Sequence, residues 1–188
     1  MSYSYSEKEV AIIGAAQKLF LRHGLKKVSM SDIAEASSLS RPSLYASFAN
    51  KEAVIDGLMK LHTEMNHEIT RARLDSKKSV QEQMETICDV WIIEPYASAI
   101  DKENGKEVME TIEDFAGEST RKMYAEFEGY LVEALKPHLK KKNGLTAKDV
   151  AAIIVSATKG LKVSTETLPD LKRLVKGLIV MTMALVDA

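Results

Sequence analysis

Apolar residues recur along this chain at helical rather than strand spacing. Ile12, Ala16, Leu19 and His23 fall on one helical stripe, with Ile13 and Phe20 beside it, so a first helix is expected from about Ser6 to His23. Gly24 follows as a stop residue. Ser29-Met30-Ser31-Asp32 has the spacing of a capping box and opens a short second helix that Ser37-Ser38 breaks. Ser40 caps a third, with Pro42 in its first turn, where a missing N–H costs nothing, and this helix is expected to end near Ala49. Asn50 caps a fourth that runs from Lys51 to about Leu74.

Beyond residue 78 the pattern continues. Ser79 and Glu82 form another capping box, followed by an apolar stripe of Val80, Met84, Ile87, Cys88, Trp91 and Ile92. Pro95 opens a further segment, and Asn104-Gly105 and Gly117 mark breaks whose exact boundaries the pattern leaves open. A long amphipathic stretch carries Met123, Phe127, Tyr130, Leu131, Ala134 and Leu135 and ends in a basic turn at Lys140 to Gly144. Thr146 and Asp149 cap an eighth helix to about Val163, and Leu168-Pro169-Asp170 opens a ninth that reaches the C-terminus. The expectation is an all-α chain of about nine helices with no internal repeat.

Composition narrows the class. The 188 residues suffice for a real core, and 45% hydrophobic with 28% charged is ordinary for a globular protein. The single cysteine, Cys88, excludes a disulfide framework. MSYSYSEKEV has neither a basic n-region nor an apolar h-region, so no signal peptide is expected. With no run near the ~18 apolar residues of a membrane span, a cytoplasmic protein is expected. Net charge is −1, yet residues 17 to 51 hold six basic residues (Lys18, Arg22, Lys26, Lys27, Arg41, Lys51) against Asp32 and Glu35. A basic head on an acidic body suits DNA contact.

Signals for catalysis are weak by comparison. No nucleophile–base constellation or Gly-rich phosphate loop stands out, and no cofactor is expected. His62 and His67 are five apart, which is not the four-residue spacing that puts two metal ligands on one helix face. Cys88 lies on an apolar stripe, where a buried structural thiol is the ordinary reading. Two short helices joined by a tight turn, by contrast, are the shape of a helix-turn-helix. Ile33, Ala34, Leu39, Leu44 and Phe48 can lock them together, while Arg41, Ser43, Ala46 and Ser47 face outward. Ser29, Ser31, Tyr45 and Lys51 are placed to hold phosphates, and the free amides where Lys51 opens a helix can face one too.

The segment Ile12 to Met59 resembles the N-terminal domain of the TetR family of regulators. The family's succession of an AA-x-x-LF helix, a glycine, S/T-x-x-DIA and S-x-x-x-LY-x-x-F-x-x-KE is met at Ala15-Ala16, Leu19-Phe20, Gly24, Ser29, Asp32-Ile33-Ala34, Ser40, Leu44-Tyr45, Phe48 and Lys51-Glu52. Ser38 stands where the turn usually has glycine, and Pro42 where a small residue is common. The resemblance implies that Tyr45, Lys51 and Ser29 contact phosphates and that Arg41, Pro42 and Ser43 face base edges. A phosphate role for Arg41 stays open, because most protein–DNA hydrogen bonds go to the backbone. Ser31, Ser40 and Ser47 complete the expected DNA-binding set.

The division expected is a helix-turn-helix DNA-binding domain at residues 1–51 and a helical ligand-sensing and dimerisation domain at 52–188. Ile153 and Ala157 in the eighth helix, with Leu171, Leu174, Leu178 and Met181 in the ninth, form apolar faces that call for cover. In the family, the last two helices pair with those of a second subunit. Leu61, Met65, Trp91, Tyr96, Met109, Phe115, Met123, Tyr124 and Phe127 are the residues expected to wall a pocket for an apolar or flat small-molecule effector. The function expected is a ligand-responsive repressor that binds a palindromic operator as a homodimer. An activator, a sensor of a protein partner and an all-α enzyme are the alternatives.

Overall fold

A computed structural model describes residues 4–74, 79–139 and 144–186. The basic turn at Lys140 to Lys142 lies outside them. Among the described residues the regular structure is helical, with no strand: α1 (Glu7–His23), α2 (Met30–Ala36), α3 (Arg41–Tyr45), α4 (Lys51–Leu74), α5 (Val80–Cys88), α6 (Glu94–Ala99), α7 (Gly105–Leu135), α8 (Ala147–Ser164) and α9 (Leu168–Val186). The capping boxes read from the sequence at Ser29, Ser79 and Thr146 are present, and Ser6 forms one that the pattern had not singled out. Ser6, Ser29, Ser79 and Thr146 each accept from the amide three residues on, and the acid there answers the cap's own N–H. Each such box satisfies two of the amides that a helix start leaves without partners. Thr167 receives the Asp170 amide in the same way at α9.

Three boundaries differ from the sequence pattern. α3 ends at Tyr45 rather than near Ala49, although turn hydrogen bonds carry the chain on to Phe48. α5 does not stop before Pro95 but passes through a π-helical turn at Asp89–Ile93 into α6. Val90, Trp91, Ile92 and Ile93 are all buried in that turn, so apolar neighbours surround it instead of lying along one stripe. α7 begins at Gly105, and its break falls at Ala116, whose backbone (φ −135°, ψ 42°) is not helical.

The chain packs as two compact units, Met1–Met65 with Asp101–Met123 and Asn66–Ile100 with Tyr124–Ala188. Val54, Ile55, Leu58, Met59 and Leu61 of α4, and Val108 and Ala116 of α7, join Ile12, Phe20, Ile33 and Leu44 in the core of the first unit. At Gly57 a Cβ would stand 3.0 Å from the Phe48 ring, so glycine is what lets α4 lie close to it. In the second unit α5 and α8 pack on α9. The Trp91 indole stacks near Phe127, with ring centroids 6.2 Å apart, and its N–H donates to the Thr70 hydroxyl at 2.9 Å.

Candidate nucleic-acid interface

The helix-turn-helix is held from within. Ile33 and Leu44 are fully buried, and Ala34 and Phe48 nearly so. The turn between α2 and α3 passes through Ser38 at φ 55°, the left-handed conformation that the missing glycine would have taken without cost. Leu39 N–H donates to Ala34 O at 2.9 Å and closes that turn. Ser40 then caps α3, its hydroxyl accepting from Ser43 N–H at 3.3 Å. Pro42 sits in the first turn of α3.

This arrangement brings most of the expected DNA-binding residues to the outside of one short helix and its flanks. Ser40, Arg41, Pro42 and Tyr45 are exposed, and Tyr45 keeps 51% of its surface. Ser31, Ser43 and Ser47 are half-buried. Ser29 is exposed but engaged, because its hydroxyl and N–H both donate to the Asp32 carboxylate at 2.7 Å. Those two bonds hold the Asp32 carboxyl below the ordinary Asp value.

Lys51 makes long-range contacts as well. Its ammonium turns to the loop between α1 and α2 and donates to Leu25 O at 2.9 Å, Val28 O at 3.0 Å and Lys26 O at 3.4 Å. The Phe115 ring lies 5.7 Å from the same ammonium. An ammonium has three N–H groups, and three carbonyls take them. Lys51 thus ties down the loop that leads into α2, and the start of α4 is capped by Asn50, which accepts from Ala53 N–H at 2.8 Å. The same loop is held a second time at Gly24 (φ 83°), where a Cβ would stand 3.0 Å from the Glu107 carboxylate.

One residue that the sequence pattern did not single out stands on this surface. The Lys8 ammonium, from α1, donates to Ser43 O at 3.1 Å and Ser43 Oγ at 3.0 Å. No local motif marks it, because the contact joins positions 35 apart.

The family model for bacterial regulatory proteins of the tetR family matches residues 12–58, the stretch that forms this head. The N-terminal domain belongs to the TetR family. Within it, the HTH-type transcriptional repressor ComR of Escherichia coli (strain K12) is 39% identical over 49 residues. That match covers 26% of this chain and 23% of ComR, so it spans about a quarter of that relative. The fold likeness is longer. The fatty acid degradation regulator FadR from Bacillus halodurans superposes with a TM-score of 0.76 over 94% of this chain and 96% of its own, at 17% identity. A TetR/AcrR-family regulator from Thermobifida fusca YX-ER1 gives 0.68 over 93% and 97%, at 15% identity. At such identities these two share the fold with this chain and nothing finer.

The remaining expected sites scatter. Leu61, Met65, Met109, Phe115 and Met123 belong to the first unit, and Trp91, Tyr96, Tyr124 and Phe127 to the second. Leu61 is in the head's core and the buried Tyr96 hydroxyl donates to Thr165 O at 3.0 Å, whereas Met65 is exposed and Met109, Phe115 and Met123 are half-buried. Tyr124 lies 3.8 Å below the Lys159 ammonium and accepts from Lys162 at 2.6 Å. The second unit carries a groove of about 430 Å³ lined by His67, Arg71, Glu126, Tyr130, Glu133 and Lys148 among others. Of the expected dimer face, Ile153 and Met181 are exposed, Ala157, Leu174 and Leu178 half-buried, and Leu171 is fully buried within its own chain. Val163 and Val180, 55% and 56% exposed, stand on α8 and α9 in its stead.

Proposed function

We propose that this protein is a transcriptional repressor that binds a palindromic operator as a homodimer. The observation that carries the reading is the capped helix α3, which offers Arg41, Pro42 and Tyr45 to solvent above a fully buried Ile33–Leu44 lock within a TetR-type domain. In this reading α3 enters the major groove. Arg41 and Ser43 read base edges, and Tyr45, Ser29, Ser31, Ser40 and Ser47 hold phosphates. Lys51 serves through the loop it clamps and the helix start it occupies. The repressor role draws support from the name of the ComR relative.

Exposed Ile153, Val163, Val180 and Met181 on α8 and α9 support the dimer. Four large apolar side chains in water are a standing cost that a second copy would remove. Two heads then meet successive major grooves about 34–36 Å apart. For an effector, the groove at His67, Arg71 and Tyr130 supports a polar, charged molecule in place of the flat apolar one expected from sequence.

Selection of bound duplex from a random pool tests the reading. The expected product is an inverted repeat bound by a particle of twice the chain mass in light scattering. Recovery of no enriched sequence would overturn it.

A further inference from the structure

We propose that Lys8 is a phosphate-contacting residue of the DNA interface, the inference resting on the DNA-binding reading above. Lys8 is the second residue of α1 and is exposed. Its ammonium reaches across to α3 and donates to both the carbonyl and the hydroxyl oxygen of Ser43, at 3.1 and 3.0 Å. Ser43 lies between Pro42 and Leu44 on the helix that is offered to DNA. A charge 3.0 Å from its hydroxyl shares whatever surroundings that hydroxyl meets.

Three properties make this charge suited to a phosphate. Two of its three N–H groups meet Ser43, which leaves one for a further acceptor. It forms no ion pair among the described residues, and the neighbouring Glu9 carboxylate is held by the Ser6 N–H and hydroxyl at 2.9 and 2.7 Å. The two Ser43 bonds also fix a long side chain over the reading helix before DNA arrives, so less rotamer freedom is lost on binding. A compact ammonium is a point charge, which fits a phosphate oxygen better than a paired base edge. Lys51, which the family pattern would put on a phosphate, instead spends its N–H groups on Leu25, Lys26 and Val28. Lys8 therefore supplies at α3 the ammonium that Lys51 does not.

The test is the salt dependence of operator binding, with the duplex recovered by selection and affinity read by fluorescence anisotropy. Each neutralised phosphate adds about 0.9 to the slope of log K against log salt. K8M should lower that slope by about 0.9. The corresponding affinity loss is about fivefold at 0.15 M salt and about fifteenfold at 0.05 M, taking equal affinity at 1 M. K8R should keep the slope, because it keeps the charge. Lys8 is exposed, so K8M should retain the wild-type circular dichroism and thermal midpoint. A folded K8M with the wild-type slope would overturn the proposal while leaving the DNA-binding reading intact. A wild-type protein that binds no selected duplex would overturn both.

Discussion

Lys51→Met separates a clamp from a phosphate contact. In the structure the ammonium makes two short bonds, to Leu25 O at 2.9 Å and Val28 O at 3.0 Å, both half-buried, and a longer exposed one to Lys26 O at 3.4 Å. Hydrogen bonds to a charged group contribute about 1.5–3 kcal/mol each. The long bond adds little, and water can reach the freed carbonyls from the exposed side. Methionine keeps most of the stem packing. The net loss is therefore about 2 kcal/mol, below the roughly 3–6 kcal/mol that two such bonds would give if water replaced neither. For a chain of this length that lowers the thermal midpoint by about 4–8 °C. The assay is far-UV circular dichroism on heating, paired with anisotropy titrations of operator DNA at several salt concentrations. Affinity should fall because the loop into α2 loosens, but the salt slope should not change, because no phosphate contact is removed. Lys51→Arg should not restore the midpoint, since a planar guanidinium does not match three converging carbonyls. An unchanged midpoint with a slope lowered by about 0.9 would refute the clamp and return Lys51 to the phosphates.

Other outcomes can be checked with equal economy. Burial pushes the Cys88 thiol up to about 12, so its reaction with a thiol reagent near neutral pH should be about a thousandfold slower in the native protein than after unfolding. Ser38→Gly relieves a left-handed residue at the turn, and after the entropy cost of glycine it should stabilise the fold by about 0.5–1 kcal/mol, read as a shift in the urea midpoint. Thr70→Val leaves the buried Trp91 N–H without its acceptor and should destabilise by about 1–3 kcal/mol, with the emission of this single tryptophan as the probe. Asp32, held below the ordinary 3.8 by Ser29, stabilises the fold only while ionised. Its contribution is full above that value and is lost as pH falls through the lowered one, so Asp32→Asn should flatten the acid limb of the stability curve.

The sequence by itself determined the helices and the reading head. Periodicity and caps are local: a serine or threonine three residues before an acid meets its partner within one turn, so Ser29, Ser79 and Thr146 act as their spacing implies. The lock of Ile33, Leu44 and Phe48 and the outward Tyr45 followed from the same short-range pattern, and Ser38 took the left-handed turn that its place in the motif demanded.

Tertiary structure decided what each polar group does with its bonds. Lys51 finds its carbonyls 23 to 26 residues back and Lys8 finds Ser43 35 residues on, and no local periodicity encodes such distances. It also decided which apolar residues are core. Tyr96 and Leu171 vanish inside the second unit while Val163 and Val180 stay outside, because burial depends on which elements pack together, and a helical stripe states only that some face must be covered. The head's fold was thus readable from neighbours in the chain. The assignment of its charges was not, because an ammonium's choice between a carbonyl and a phosphate is settled by what stands within 3 Å of it.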